Sequence, residues 1–541
     1  MGVFSVLTTA LLATSALARS PQHVGKQMPE DALQRRGENA PVLQPRGKPA
    51  YGGPPTKKPI IPQNANTTKY AVDGKNIPFV DFDVGESYAG LLPISDEDDA
   101  SELYFWFYPS NNPDADDEIL IWLNGGPGCS SLEGILQENG PFIWQYGTYR
   151  PVQNPYTWVN LTNVVWVEQP AGTGFSKKKG TPAATNELEV AEQFLGFFKN
   201  FVDTFGLHNR KVVPYIADAM HNETNTEYYD IQSILFYDPS TSYNVVQDQI
   251  PTVPFVEYWA PLFSLNDTYM DHLRHLHQEC GYADFMETAM QFPPKGPLPT
   301  PPHPNINGGS GGRCDIWGDV VYYAAPAVNP CWDVYQVATT CPNLWDVLGF
   351  PGSFYYEPAP WYYFNRTDVK KAINAPVDTN WAECSGGVLD KDTSPPSGLS
   401  VLPRVIEKNN KTIIAHGMLD MILIMNGTVM MIQNMMAANI ELEQTWNGAQ
   451  GFHTPPSQWN DFYVPYHSEL NQGSTAGAGV FGQWWEERGL TFSTVDLTGH
   501  MVPQYAPAAA YRQLEYLLGR VDSLGEVSDF TTQNGDFGNN P

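Results

Sequence analysis

The 541-residue chain is poor in charged residues, and most of those it has are acidic. Charged side chains make up 16% of the sequence, with 30 Lys and Arg against 59 Asp and Glu, for a net charge of −29. Such a chain repels phosphate backbones, so nucleic-acid binding is excluded as its main role. The sequence pI of about 4.6 suits a protein of acidic or extracellular fluid. Because 42% of the residues are hydrophobic, a wholly disordered protein is also excluded.

Long hydrophobic runs are missing as well. After the N-terminus, no stretch approaches the ~20 apolar residues that a membrane-spanning helix needs, and Gly525–Pro541 is too polar for a lipid-anchor signal. Residues 1–18 are typical of a signal peptide, ending in the small-x-small pattern Ala16-Leu17-Ala18. We therefore predict a secreted or vacuolar protein with no membrane partner.

The six cysteines and the sequons agree with a secretory, oxidising compartment. An even number of cysteines lies downstream of the signal and can be fully paired there. Seven Asn-x-Ser/Thr sequons favour a glycoprotein. The predicted glycosylation sites are Asn66, Asn160, Asn222, Asn266, Asn365, Asn410 and Asn426.

Composition and periodicity divide the rest of the chain. Residues 19–65, rich in Pro, Gly, Arg and Lys, are predicted to be a pro-segment or disordered tail. Residues 66–240 alternate strand-like and helical patterns, residues 241–362 carry four cysteines and Pro- and Gly-rich loops, and regular patterning resumes over 363–525. This organisation predicts an α/β core in two halves, interrupted by an insertion and followed by a disordered tail over 526–541.

Individual elements support the α/β assignment. Apolar, β-branched and aromatic runs predict strands at Glu102–Tyr108, Glu118–Leu123 and Asn163–Glu168. A helix is predicted over Asn186–Phe205. Its apolar face is formed by Leu188, Ala191, Phe194, Leu195 and Phe198.

The run most suggestive of chemistry is Trp122-Leu-Asn-Gly-Gly-Pro-Gly-Cys-Ser-Ser131, directly after a predicted strand. Consecutive glycines allow backbone N–H groups to approach a ligand oxygen closely, as an oxyanion hole requires. A tight structural turn would account for Gly-Pro-Gly alone but not for the whole run.

This run resembles the signature of the serine carboxypeptidases, a peptidase family with the α/β-hydrolase fold. Further matching blocks span about residues 68–525. They are Glu133–Pro141, Glu168–Ser176, Val213–Asp218, Tyr363–Val369, His416–Asp420 and Gly499–Pro503. The resemblance implies an α/β-hydrolase fold with a disulfide-stapled insertion (cap) domain.

The resemblance also implies roles for individual residues. His500 corresponds to the general base and Asp420 to the acid that orients it. Asn124 and Glu138 correspond to the groups that bind the free carboxylate of the substrate, and Gly125 and Gly126 to the oxyanion loop. Two facing carboxyl groups require one to be protonated, which implies work at acidic pH. The implied substrates are peptide or protein C-termini, with no cofactor.

The nucleophile is the exception. The family's Gly-Glu-Ser-Tyr-Ala-Gly string occurs once, around Ser87, but it precedes the oxyanion loop and an extended segment follows it. We therefore expect Ser87 to be non-catalytic. The resemblance places the elbow just before Val213, and compared with the family pattern about a dozen residues are absent between Lys211 and Val213. The chain as written is thus predicted to be inactive, with a mis-predicted exon or splice form as the simplest cause.

The cysteine pairing is only partly constrained. The resemblance implies a Cys129–Cys384 bridge, and the other four cysteines allow three connectivities. Among these we predict the nested pairs Cys280–Cys341 and Cys314–Cys331. Three histidines lie close to Cys280, at 272, 275 and 277, but no metal-binding spacing accompanies them, so no metal is predicted.

The leading functional hypothesis is a serine-type carboxypeptidase. An acyltransferase or esterase on the same scaffold, or a secreted non-catalytic peptide-binding homologue, remains an alternative. Neither the oligomeric state nor the preferred side chain at the cleaved bond follows from the sequence.

Overall fold

The computed structural model describes residues 60–112, 115, 117–126, 128–179, 184–208, 214–303, 312–349, 362–389, 392–435, 446–466 and 477–527. The predicted signal peptide, residues 19–59 of the predicted pro-segment, the Lys211–Val213 junction and residues 528–541 lie outside this part of the chain.

One five-stranded sheet is built from the first half of the core, in the order β1-β2-β3-β7-β4. Its strands are β1 (Ala71–Val72), β2 (Ser87–Pro93), β3 (Glu102–Tyr108), β4 (Leu120–Trp122) and β7 (Val164–Glu168), and the separate hairpin comprises β5 (Phe142–Ile143) and β6 (Val152–Gln153). β4 and β7 are parallel, whereas the other pairs are antiparallel. The three predicted strands are confirmed, with β4 shorter than its apolar run.

A second five-stranded sheet has the order β8-β9-β12-β11-β10. Its strands are β8 (Ser233–Tyr237), β9 (Lys411–Gly417), β10 (Asn460–Val464), β11 (Gly479–Glu487) and β12 (Leu490–Val495). The β8–β9 and β9–β12 pairs are parallel. Ligand-binding loops of parallel sheets lie at the carboxyl ends of the strands, which directs attention to the segments after β4, β8, β9 and β12.

Helices cover the sheets. They are α1 (Ala65–Thr68), α2 (Glu187–Phe205), α3 (Pro214–Asn222), α4 (Ile250–Tyr258), α5 (Ala260–Phe263), α6 (Asp267–Glu279), α7 (Tyr282–Ala289), α8 (Ile316–Asp319), α9 (Ala325–Val328), α10 (Thr367–Ala372), α11 (Leu402–Lys408), α12 (Met425–Asn434), α13 (Val502–Tyr505) and α14 (Pro507–Leu517). Shorter turns of 3₁₀ type span Trp158–Asn160, Tyr363–Asn365, Ser397–Leu399, Trp446–Gly448 and Pro456–Gln458, and turns of π type span Gly134–Glu138, Val245–Gln249 and Val320–Ala324.

Helix α2 illustrates how the core forms. Asn186 caps its N-terminus through the N–H of Glu189, and a row of aromatic side chains packs on β3, with Phe201 in edge contact with Phe105 and Phe107. The predicted helix is confirmed. The prediction that Leu188 belongs to the apolar face is wrong, because this side chain in the first turn lies outside the packed stripe and is 60% exposed.

The insertion has its own hydrophobic core, formed by α4, α6, α7 and α8 against Met421 and Ile424. Its disulfides correct the nested prediction: the pairs are Cys280–Cys314 and Cys331–Cys341, not Cys280–Cys341 and Cys314–Cys331. The chain folds locally, so that each cysteine meets the next one along the sequence. Cys280 ends α6, and only 10 positions separate Cys331 from Cys341.

Two sequon asparagines are buried or half-buried, and their amide nitrogens donate to backbone carbonyls. The Asn160 amide is buried and donates to the Pro155 carbonyl, and Asn365 exchanges two hydrogen bonds with the Trp381 backbone. Glycosylation at these two positions would have to break these contacts, whereas Asn66, Asn222, Asn266 and Asn410 are exposed. Across the described ranges, no helix has both the length and the apolar character needed to cross a bilayer.

Candidate active site

The glycine loop after β4 folds back on itself. The Asn124 N–H donates to Ser131 Oγ (3.0 Å), and the Cys129 N–H donates to the Gly125 carbonyl (3.0 Å). Gly126 has a φ of 122°, and a Cβ there would lie 3.0 Å from the Cys129 nitrogen. Glycine is therefore required at this position for the loop to keep its shape.

The Cys129–Cys384 disulfide, the pair implied by the resemblance, anchors this loop. It joins the segment after β4 to a residue 255 positions later in the sequence. On either side of it, the Ser130 N–H donates to the Glu383 carbonyl (2.6 Å) and the Ser385 N–H to the Gly128 carbonyl (2.9 Å). The loop is thus held from both sides of the bridge.

Asn124 faces two buried carboxyl groups. Its Nδ2 donates to Glu133 Oε2 (3.2 Å) and to Glu138 Oε1 (3.4 Å), while its Oδ1 accepts a bond from Trp122 Nε1 (2.5 Å). The Trp122 contact orients the amide with its N–H groups toward the acids. Both glutamates are 4% exposed, so the half-buried Asn124 amide contacts two buried acids.

Burial changes the ionisation of these acids. It raises the pKa of Glu138 to about 8. Burial, followed by repulsion from Glu138, also raises the pKa of Glu133 well above its usual range. At acidic pH both carboxyl groups are therefore neutral and can donate a hydrogen bond to a bound carboxylate.

Asp420 and His500 form the second part of the site. Asp420 follows β9 and is fully buried; its Oδ2 accepts a bond from His500 Nδ1 (2.9 Å), and its Oδ1 accepts the N–H groups of Ile422 (2.8 Å) and Leu423 (3.3 Å). Because Nδ1 donates to the carboxylate, the proton sits on Nδ1 and Nε2 remains available as a base.

The backbone and charge around His500 reinforce this arrangement. Its N–H donates to the Tyr335 carbonyl (2.8 Å), and a Cβ on the preceding Gly499 would lie 1.9 Å from that oxygen. Burial opposes a positive charge on the ring, but the charge of Asp420, its hydrogen bond, and the nearby Glu133 and Asp333 together raise the pKa of His500. The base is therefore both oriented and strengthened.

Several site residues were not identified from the sequence. Asp238, directly after β8, has a carboxylate oxygen within 4.8 Å of the ligand atoms of Asp420 and His500, and its other neighbours include the Gly417 N–H (2.9 Å). Glu133 and Glu383 join the acid cluster, and Tyr335 comes from the insertion. Glu133 lies inside a matching block, but no short-range pattern marks the other three, which the fold brings in from distant elements.

One cavity of about 1080 Å³ contains both parts of the site. At its site end it is lined by Asn124, Gly125, Gly126, Glu133, Glu138, Asp238, Tyr335 and His500. The structure therefore brings the predicted base, oxyanion loop and carboxylate-binding pair to a single space. The Asp238, Asp420 and His500 group has metal-ligand spacing, but its His–Asp hydrogen bond already uses the facing atoms.

The described part of the chain places no serine in hydrogen-bond contact with His500, whose ring bonds to Asp420. Ser87 begins β2, three strand positions away from β4, and its Oγ is buried and accepts a bond from Trp106 Nε1 (3.2 Å). The position between Lys211 and Val213, where the elbow was expected, falls outside the described residues.

Comparison with known sequences places this site in a family context. A sequence model described as serine carboxypeptidase matches residues 78–520. A probable serine carboxypeptidase of Arthroderma benhamiae is 49% identical over 96% of this chain and 98% of that protein. Serine-type carboxypeptidase F of Aspergillus niger is 43% identical over 85% of this chain and 88% of its own length.

A solved structure supports the fold. The crystal structure of a prohormone-processing carboxypeptidase from Saccharomyces cerevisiae superposes with a TM-score of 0.63, at 20% identity, over 85% of this chain and 99% of that one. The α/β-hydrolase architecture with a disulfide-containing insertion, expected from the sequence, is thereby confirmed.

Proposed function

The chain belongs to the serine carboxypeptidase family, and from this premise we propose that its site is built to release C-terminal amino acids from peptides at acidic pH. The observation that carries the proposal is the Asp420–His500 hydrogen bond (2.9 Å) in the same cavity as the Asn124–Gly126 loop and Glu138. Base, oxyanion donors and carboxylate-binding groups share one space, as acyl transfer from a peptide C-terminus requires.

Each residue has a step in this reaction. His500 Nε2 accepts the proton of a serine hydroxyl as its oxygen attacks the scissile carbonyl, and then returns that proton to the departing amine. Asp420 holds the ring in the required tautomer. The N–H groups of the Gly125–Gly126 loop stabilise the negative oxygen, and water then hydrolyses the acyl-enzyme to a shortened peptide.

Asn124 and Glu138 select substrates with a free C-terminal carboxylate. Because burial raises the pKa of Glu138 to about 8, this carboxyl is neutral at pH 5 and donates to the substrate carboxylate. At alkaline pH it ionises and repels the same group. The binding step therefore favours pH values below the pKa of Glu138.

The chain as written lacks the hydroxyl that this reaction needs. The support is twofold: His500 has no serine partner in the described structure, and the family's elbow string is absent from the stretch before α3 in the sequence. Loss of the nucleophile alone costs about 10⁶ in turnover in comparable enzymes. We therefore expect negligible hydrolysis from the 541-residue chain.

The alternatives differ in what they do with the carboxylate-binding pair. An esterase or acyltransferase has no use for Asn124 and Glu138, whereas a non-catalytic peptide-binding homologue needs them but not Asp420 and His500. The buried acid–amide group favours peptides over esters. The predicted signal peptide, three disulfides and exposed sequons support a secretory location, secreted or vacuolar.

The test compares two versions of the full chain at about pH 5 with a blocked dipeptide. One is the chain as written; the other carries an apolar strand and Gly-Glu-Ser-Tyr-Ala-Gly inserted between Lys211 and Val213. We expect hydrolysis and labelling by a serine-reactive phosphonate only in the second, and neither after the inserted Ser is changed to Ala. Brisk hydrolysis by the chain as written, lost on Ser87→Ala, would overturn the proposal.

A further inference from the structure

The two sheets end at the same cavity. β4 is an edge strand of the first sheet, and β8 is an edge strand of the second. In the described structure each therefore pairs on one side only, β4 with β7 and β8 with β9. Every residue of both strands borders the cavity. Because successive side chains of a strand point to opposite faces, a cavity that contacts every residue meets the two strands along their edges.

This cavity runs through the inner layer of the fold. Ile216 of α3 lines it from one helical layer, and Leu517 of α14 lines it from the other. Ile121 and Ile234 on the facing strands are 4% and 1% exposed. Strand edges carry unpaired N–H and C=O groups, which are costly to leave away from water. We call the part of the cavity between the edges of β4 and β8 the slot.

The slot has a defined direction. The rings of Trp122, at the end of β4, and Tyr237, at the end of β8, approach to 6.3 Å between centroids, so the carboxyl ends of the two strands lie side by side. β4 is parallel to β7 and β8 to β9, and the amino ends of β4 and β8, Leu120 and Ser233, also border the same cavity. A segment lying between them in the same direction would pair with both and continue the parallel pattern.

We propose that this slot is a binding site for an extended, apolar peptide segment of about five residues, bound in trans as a strand parallel to both β4 and β8. The length follows from β8, which spans five residues, Ser233–Tyr237. The apolar character follows from Ile121, Ile234 and Leu235 along the walls. Backbone pairing on two edges would provide affinity, as in β-strand addition to a single edge.

Charge limits the composition of the segment. The lining includes six acidic residues and one lysine, namely Glu118, Glu133, Glu138, Glu187, Asp238 and Asp248 against Lys411. A segment with a neutral centre and without acidic residues in the strand itself therefore fits best. Aspartate or glutamate in the centre would lie buried against Ile121 and Ile234 with no cation beside it.

The bound segment would also reach the site. Its carboxyl end emerges beside Asn124, at the end of β4, and Asp238, at the end of β8, in the cavity that His500 lines. A segment that continues as Gly-Glu-Ser would deliver a hydroxyl to His500 Nε2. This catalytic consequence rests on the proposed function, whereas the binding itself does not.

The binding test uses the full chain and a labelled peptide, Lys-Val-Thr-Val-Val-Val-Gly-Glu-Ser-Tyr-Ala-Gly, followed by fluorescence anisotropy. We expect saturable binding that is unchanged when the Ser of the peptide is replaced by Ala. Replacing the middle Val of its Val-Val-Val run by Pro removes a backbone donor and should weaken binding about tenfold or more. Absence of binding, or equal binding of the Pro peptide, would overturn the proposal.

A matched control distinguishes the slot from other exposed strand edges, such as that of β10. The chain carrying its own strand and elbow between Lys211 and Val213 should no longer bind the peptide, because the slot is occupied. Undiminished binding by this version would show that the peptide binds elsewhere and would contradict the proposal.

The activity arm separates the two proposals. Saturating Ser peptide is expected to restore hydrolysis of the blocked dipeptide by the chain as written, and the Ala peptide is not. Binding without hydrolysis would leave the slot established and count against the proposed catalytic roles. Failure of binding counts against the slot, while hydrolysis by the inserted-elbow chain still supports the function.

Discussion

The two sheets of this protein provide different halves of one site. The sheet ending in β4 leads into Asn124, Gly125 and Gly126, which contact the substrate carboxylate and carbonyl in the proposed reaction. The sheet with β8 at its edge also contains β9 and β12, which lead into Asp420 and His500. In the proposed reaction these two residues transfer the proton. The two halves share one hydrophobic core, which contains Trp166 of the first sheet and Ile413 and Val495 of the second.

The comparison shows that neither half completes the chemistry. The loop after β4 has donors for an oxyanion but no base, and among the described residues no serine lies in hydrogen-bond contact with His500. The Cys129–Cys384 bridge ties the loop to a residue from the second half of the chain. In the proposed reaction, the hydroxyl that joins the two halves chemically would come from a segment between β4 and β8.

The largest expected effect comes from breaking the proton-transfer half. In the chain with the inserted elbow, His500→Ala should lower kcat by about 10⁵–10⁶, and Asp420→Asn by about 10⁴, because the Asn variant stabilises the wrong tautomer. Steady-state kinetics on a blocked dipeptide measure both. Comparable activity of either variant and its parent would exclude the assigned roles.

Much of this half could be predicted from the sequence, because a short motif surrounds each residue. The blocks His416–Asp420 and Gly499–Pro503 place Asp420 and His500 after strands, and the strands themselves follow from apolar β-branched runs. Asp238 could not be predicted in the same way. It reaches Asp420 only because β8 and β9 pair side by side, across some 180 residues of intervening chain.

The cysteines show the same limit. The Cys129–Cys384 pair is implied by motifs at both ends, whereas the pairing inside the insertion depends on how its helices turn. The nested pairing requires Cys280 to reach across α8 and α9 to Cys341, but the chain between them folds into two local loops. Spacing along the sequence does not contain that information.

The second prediction tests how strongly the halves are joined. Replacing Cys129 and Cys384 together by Ser opens a loop of 255 residues, for which chain entropy predicts a loss of about 5 kcal/mol in the free energy of unfolding. The matched Cys331 and Cys341 double variant opens a loop of 10 residues and should cost about 3 kcal/mol. Urea unfolding under oxidising conditions measures both. Equal losses would mean that the long bridge does not constrain the unfolded chain.

The third prediction concerns a buried acid in the first sheet. Glu168 ends β7 and is fully buried; it accepts bonds from the Phe175 N–H (2.5 Å) and Trp381 Nε1 (3.2 Å). Burial raises its pKa from 4.5 to about 7. Folding thus favours the protonated form, so the stability that this group contributes is complete below pH 4.5 and is lost as the pH rises through 7.

Glu168→Gln should remove this dependence. Between pH 4.5 and 7, the parent should lose about 1.4 kcal/mol per pH unit from this group, or about 3 kcal/mol in all, and the variant should lose that much less. Urea midpoints at pH 5, 6 and 7 measure the slope. The control Glu192→Gln, on the exposed side of α2, should leave the slope unchanged. An equal slope in parent and Glu168 variant would contradict the assignment.

The smallest effect is expected from a substitution of Ser87. This residue lies in the family's motif but in the first sheet, so the variant tests whether that sheet contributes only binding groups. Ser87→Ala leaves the buried Trp106 N–H without its acceptor, which should cost about 1–2 kcal/mol of stability. In the chain with the inserted elbow, kcat/KM should stay within about twofold of its parent, while Ala in place of the inserted Ser removes activity. A loss of activity in the Ser87 variant at full stability would instead move the nucleophile to β2, which lies in a different sheet from β12, the strand that leads to the base His500.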